Sequence, residues 1–131
     1  PTLAPDELLI TSDTEVWKGD RRFGKPANLE EAKAMLRELS GDVHQVISSI
    51  CVCDLGRTES TSVTTNVFFK DLSEVEINYY VTNYKPLDKA GAYGIQEWIG
   101  LVGIEKIEGS YFNVVGLPVF ELAELLNSWE K

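Results

Sequence analysis

Apolar and polar positions alternate most clearly in two neighbouring stretches. Val43 to Cys53 and Ser60 to Phe69 are rich in β-branched residues. In the second, Thr61, Val63, Thr65, Val67 and Phe69 share one face of a strand. Asp54-Leu55-Gly56-Arg57 lies between them with turn chemistry, so the two are expected to pair as an antiparallel hairpin. Leu8-Leu9-Ile10-Thr11-Ser12 is a short apolar run ending at Asp13-Thr14, the pattern of a buried strand that stops at a polar end.

Helical spacing takes over elsewhere. Asn28 with Glu31 forms a capping box ahead of Leu29, Ala32, Leu36 and Leu39, and Gly41 follows as a stop. Ser73 with Glu76 gives a second box, and Ile77, Tyr80, Val81 and Tyr84 continue as a stripe that Pro86 ends. Leu87 to Trp98 is punctuated by glycines and resists assignment. Ile104 to Ile107 and Tyr111 to Val115 read as strands around Glu108-Gly109-Ser110. Pro118 suits a first helical turn, with Phe120, Ala123 and Leu126 in the helix that follows. With no internal repeat, low-complexity tract or linker, residues 1–131 read as one α/β domain with mixed or antiparallel pairing.

Composition narrows the function. The chain has 131 residues, 44% hydrophobic and 25% charged, which supports one domain with a real core. No apolar run approaches the roughly 20 residues that cross a bilayer. Pro1-Thr2-Leu3-Ala4-Pro5-Asp6 lacks the pattern of a signal peptide and has no initiator Met, which suggests a processed, trimmed or engineered start. A net charge of -9 argues against nucleic acid and anionic membrane as partners, but permits a small anionic substrate where a few cations collect. Cys51 and Cys53 would point to the same face of a strand, a poor geometry for a mutual disulfide. With lone His44 they fall short of a zinc site, so they are read as reduced cysteines of a cytoplasmic protein.

Three segments could carry chemistry. Asp13 at a strand end could hold a divalent cation or orient a water, or it could simply cap a turn. Arg21-Arg22-Phe23-Gly24-Lys25-Pro26 is the dense cationic segment of an acidic chain, with Lys25 suited to phosphate and Gly24 to close backbone approach. Its plain alternative is a solvated loop. It is not a P-loop, since the glycine-rich run ending in Lys-Ser or Lys-Thr is absent from the sequence. Asp88-Lys89-Ala90-Gly91-Ala92-Tyr93-Gly94-Ile95-Gln96 implies close packing or close ligand approach. There Gln96 has the donor and acceptor to read a base edge, and Lys89 adds charge. A tight connection with a satisfied amide is its alternative. His44 lacks a nucleophile motif nearby and reads as structural.

Taken in order, Ser12-Asp13-Thr14-Glu15-Val16, Gly24-Lys25-Pro26, Leu39 to His44 and Thr65 to Phe69 resemble the Maf family, also called septum formation inhibitor proteins. The likeness continues through Glu76 to Tyr80 and is sharpest at Lys89 to Gln96 and Gly109 to Pro118. The resemblance implies a fold related to inosine triphosphatase: a mixed sheet with flanking helices around a deep cleft, often in a homodimer. It implies hydrolysis between the α and β phosphates of modified or surplus nucleotides, with a divalent cation, Mg²⁺ or Mn²⁺. Asp13 matches the family's proton acceptor and metal-linked base, and Lys25 its phosphate-contacting lysine. Thr14 and Gln96 match positions linked to substrate choice, and Lys89 would add to substrate binding. The Gly-Ile-Gln form looks like the branch acting on dTTP and UTP.

Two departures stand out. Members of the family normally begin with a strand and a Ser-x-x-Arg-Arg segment that grips the triphosphate, then a Glu and a Lys. The match here starts in the middle of that pattern, which gives the expectation of a chain lacking the family's N-terminal third. Glu97 and Trp98 replace the small residues usual after the Gln. The readings to separate are therefore a pyrimidine nucleotide pyrophosphatase, a nucleotide-binding module without turnover, and an interaction subunit that pairs through an exposed sheet edge.

Overall fold

The two alternating stretches pair along almost their whole length. In this computed structural model, which describes residues 3–129, β3 (Val43–Cys53) and β4 (Thr58–Phe69) form an antiparallel hairpin running from Val43↔Phe68 to Cys53↔Thr58. Asp54 closes the turn, its N–H donating to Arg57 O and its carboxylate accepting from Gly56 N. β1 (Leu9–Lys18) pairs with the other edge of β3, and β2 (Arg21–Phe23) folds back on β1. β5 (Ile104–Glu108) completes the order β2-β1-β3-β4-β5, antiparallel at every described pairing. The α/β class holds, with antiparallel taken from the two pairings left open.

The period-two pattern decides what faces the core. On β3, His44, Val46, Ser48, Ile50 and Val52 are buried, while the residues between them are half-buried or exposed. Val16, Phe23, Val46, Val67 and Phe69 form the sheet side of the core. Helix α1 (Leu29–Leu39) covers them with Ala32, Met35, Leu36 and Leu39, and α2 (Glu74–Tyr84) with Ile77, Tyr80 and Val81. The Ser73–Glu76 capping box forms in both directions. At α1 the Asn28 carboxamide accepts from Glu31 N, and Gly41 at φ 69 ends the segment.

The remaining elements differ from the sequence reading in two places and settle a third that it left unassigned. Tyr111 to Val115 is helix α4 (Tyr111–Val115), not a strand. Its two valines suggest β structure, but Ser110 caps Asn113 N, and the Asn113 side chain takes three acceptors from β3 and β4 that only this turn brings within reach. β1 does not stop at Asp13 but continues to Lys18, because its pairing with β3 extends to Trp17↔Gln45. The unassigned Leu87 to Trp98 segment holds a 3₁₀ turn at Ala90–Ala92 and leads into α3 (Trp98–Gly103). Helix α5 (Val119–Trp129) follows Pro118 as expected, and Trp129 Nε1 donates to Asp54 at the hairpin turn. Among the described residues no helix is long and apolar enough to cross a membrane.

Candidate active site

The site is built where three distant segments meet. Gly24 follows β2, and its carbonyl accepts a 3.1 Å hydrogen bond from Gly91 N, which ties the Gly24-Lys25-Pro26 segment to the 3₁₀ turn. Gly91 sits at φ 72, and a Cβ there would lie 3.1 Å from Val16 Cγ1 on β1. Only glycine satisfies both the left-handed backbone and the close approach. Ala92 is also left-handed, at φ 64, a strained conformation for an L side chain that this packing holds in place. By contrast, nothing lies within 4 Å of a Cβ built on Gly24, so the close approach expected there belongs to Gly91.

Between these segments and α4 lies a cavity of about 280 Å³. Thr14, Lys25, Lys89 and Gln96 all line it, from β1, the segment after β2 and the two ends of the 88–96 loop. Val16, Val46 and Tyr93 supply an apolar floor, and Gly116 an edge. Asp13 does not line it: it occupies the intervening pleat position of β1, exposed, opposite Ser49 on the outer face of the sheet. The structure thus gathers four of the five sequence-predicted site residues and leaves Asp13 beside them on the opposite face.

Charge in the cavity is lopsided. Lys89 Nζ lies 3.3 Å from Asp88 Oδ1. The Asp88 backbone, then the Lys89 ammonium, and from farther off Lys25, hold the Asp88 carboxyl below its usual range. The two arginines of the cationic segment are spent elsewhere, Arg21 on Glu38 at 2.7 Å and Arg22 on Glu15 at 3.1 Å. The two arginines are surface charges as the plain alternative had it, though ion-paired on strand β2 and not in a solvated loop, and Lys25 alone of that segment reaches the cavity wall.

Two buried networks support the wall. Tyr80 Oη donates to Glu97 Oε1 at 2.5 Å and accepts from Gly94 N at 3.1 Å, which clamps the loop that carries Gln96. His44 Nε2 is hydrogen-bonded to Tyr93 Oη at 2.6 Å, and its ring stacks on Phe69. Burial, with a smaller contribution from the Lys18 charge, pulls the His44 pKa down to about 4, so the ring is neutral at pH 7. His44 is a core residue, as its sequence context implies. Cys51 and Cys53 are both unpaired and half-buried on β3.

Sequence reasoning passed over Asp88, Tyr80, Ser48 and Asn113. Asp88 opens the singled-out 88–96 segment and could have been found there. Ser48 interrupts an otherwise apolar period-two face, a polar position that asks for a partner. Asn113 was hidden by the strand reading of its segment.

Comparisons with known proteins give the chain a family and a set of relatives. The family model for Maf-like protein matches residues 2–129. The dTTP/UTP pyrophosphatase of Parabacteroides distasonis is 56% identical over 126 residues, covering 96% of this chain and 65% of that protein. That of Phocaeicola vulgatus is 54% identical over 121 residues, covering 92% and 63%. That of Cytophaga hutchinsonii is 53% identical over 122 residues, covering 93% and 56%. The chain therefore spans less than two thirds of the length of these relatives.

Proposed function

The chain belongs to the Maf-like family, and from that premise we propose that it contributes the substrate-binding part of a nucleoside triphosphate pyrophosphatase acting on dTTP and UTP, releasing the monophosphate and pyrophosphate. The observation that carries this reading is the convergence of Lys25, Lys89, Thr14 and Gln96 on one cavity. Two ammonium groups offset phosphate charge, and a threonine and a carboxamide read a base. The activity for which the relatives are named supplies the reaction, and residues 1–131 act as a single domain within it.

In the proposed reaction, water attacks the α-phosphorus in line with the α–β bridging oxygen; a P–O bond to water forms, the anhydride bond breaks, and pyrophosphate leaves with the bridging oxygen's electron pair. Lys25 and Lys89 stabilise the charge that accumulates on the phosphate oxygens. Asp13 is assigned as proton acceptor on the family resemblance and not on its position, since it lies one peptide link from the cavity-lining Thr14 but on the opposite face of β1. Gln96 hydrogen-bonds the pyrimidine, whose loss is worth about 1–3 kcal/mol of discrimination.

A divalent cation, Mg²⁺ or Mn²⁺, belongs to this reading. Among the described residues no three carboxylate, histidine or cysteine side chains are grouped as ligands. The donor set therefore fits no dedicated cage, but suits a hard cation that keeps its waters and arrives bound to the triphosphate. Such an ion would neutralise phosphate charge. Homodimerisation in the cytoplasm completes the proposal, and sedimentation of the purified chain measures the first part of it.

A second reading, nucleotide binding without turnover, is favoured by the place of Asp13 outside the cavity wall. Pyrophosphate release from dTTP, UTP, CTP and GTP, with Mg²⁺ or Mn²⁺ and alongside Asp13→Asn, separates the two. Turnover of dTTP and UTP that vanishes in the variant supports the enzyme. A folded chain that binds UTP and releases no pyrophosphate leaves the binding module.

A further inference from the structure

Cys51 and Cys53 are the two cysteines of the chain, and neither the cavity nor the core uses them. They lie two positions apart on β3, so they share the face that points away from Val46 and the helices packed on it. Both are half-buried and neither is in a disulfide. Cys51 stands between Thr11 on β1 and Ser60 on β4, and Cys53 between Leu9 and Thr58. None of these four neighbours carries a charge or a ligand stronger than a hydroxyl.

Spacing decides what the pair can do. Residues two apart on a strand stand about 6.6 Å from one another. A disulfide requires Cβ atoms about 3.8 Å apart, so forming one would pull β3 out of its pairing with β1 and β4. A metal ion bridged by two thiolates asks for less. With metal–sulfur bonds of about 2.3 Å, the two sulfurs across a linear ion are about 4.6 Å apart. Side chains on a strand lean along it, and a lean of about 1 Å by each sulfur closes that gap with β3 undisturbed. Among the described residues no third carboxylate, histidine or cysteine joins the pair as a ligand. A tetrahedral ion such as Zn²⁺ therefore lacks ligands here, and a soft monovalent ion that takes two thiolates is the match.

We propose that Cys51 and Cys53 form a two-coordinate site for a soft monovalent cation of the Cu⁺ type, on the sheet face opposite the cavity. Binding forms two copper–sulfur bonds and releases both thiol protons to solvent, while the copper stays monovalent. The inference does not depend on the nucleotide reading of the cavity.

The test is anaerobic titration of the reduced 131-residue chain with Cu⁺ in competition with the chelator bicinchoninate. One ion should bind per chain, with the mass in solution unchanged on loading. Cys51→Ser and Cys53→Ser should each weaken binding about 100- to 10,000-fold, since the second thiolate acts as an intramolecular ligand. Iodoacetamide should alkylate both thiols of the free chain and neither of the loaded one. That readout needs no variant, so it decides even where a serine on β3 disturbs folding. A folded single variant that keeps the parent's affinity, two ions per chain, or an ion that joins two chains overturns the inference. So do loaded thiols that still alkylate, or Zn²⁺ that displaces Cu⁺ at equal concentration.

Discussion

The hydroxyl of Tyr80 donates a 2.5 Å hydrogen bond to Glu97 Oε1 across the loop that carries Gln96. It also accepts from Gly94 N at 3.1 Å, so one buried phenol on α2 holds both ends of the Gly94–Glu97 turn. Burial, and then the Glu97 contact, push its pKa up, which keeps it a donor at any working pH. Tyr80→Phe leaves Gly94 N and Glu97 without this partner while preserving the ring. The expected outcome is about 1–2 kcal/mol less stability in urea denaturation and a raised KM for UTP at little changed kcat. A variant that loses stability with no change in KM would show that the clamp serves the core and not the loop.

His44 is the only histidine, and its pKa falls from an ordinary 6.5 to about 4 on folding. Between these values the unfolded chain binds more protons than the folded one, so stability rises with pH across the window. The contribution is complete above about pH 6.5, is lost as pH falls toward 4, and amounts to at most about 3 kcal/mol. The carboxylates of Asp42, Glu74 and Glu76 are held below their ordinary values, Asp42 by the Val43 N–H and Lys18, Glu74 by Arg37 and Glu76 by Lys70, so their contributions are lost toward the acid end. Urea midpoints between pH 5 and 7.5 should slope upward, and His44→Gln should flatten the slope. An unchanged slope in that variant rules His44 out as its source.

In the proposed site Lys25 and Lys89, both on the cavity wall, carry the phosphate part, so neutralising either should depress kcat/KM for UTP by about 10- to 100-fold. Lys25 should be the more sensitive, because Lys89 is already shared with Asp88. Lys33, paired with Glu30 on α1, is the matched control at a distance. Equal effects of Lys25→Ala and Lys33→Ala would mean that only net charge matters, and the cavity assignment would fall.

What the sequence made legible follows from where local chemistry and long-range packing agree. The β3–β4 hairpin and the capped helices α1 and α2 were readable because period, caps and turn residues all sit within a few positions of one another. Segment 111–115 was not, since its valines favour a strand and the partners that decide for a helix lie on β3 and β4, up to 67 residues away. The cavity was half legible. Lys25, Lys89 and Gln96 announce themselves by type and neighbours. Asp13, in contrast, is expected at a strand end on the strength of an apolar run, when pairing with β3 as far as Trp17 and with β2 at Lys18 carries the strand five residues further. Ser48, Asn113 and Tyr80 bear on the site only through contacts that no local pattern records.

The glycines of the site make the sharpest prediction about stability, because two of them differ in kind. Gly91 combines φ 72 with a Cβ position 3.1 Å from Val16 Cγ1, while Gly24 has open space where its Cβ would stand. An alanine at 91 must adopt a left-handed backbone and push against a buried valine, a cost of about 1–3 kcal/mol. An alanine at 24 meets neither penalty. Gly91→Ala should therefore lower the thermal midpoint by several degrees and reduce affinity for UMP, since the displaced turn carries Lys89 and Tyr93 on its flanks. Gly24→Ala should leave both within about 0.5 kcal/mol of the parent. If the two variants melt together, the close approach of the 3₁₀ turn to β1 is not what holds the cavity open.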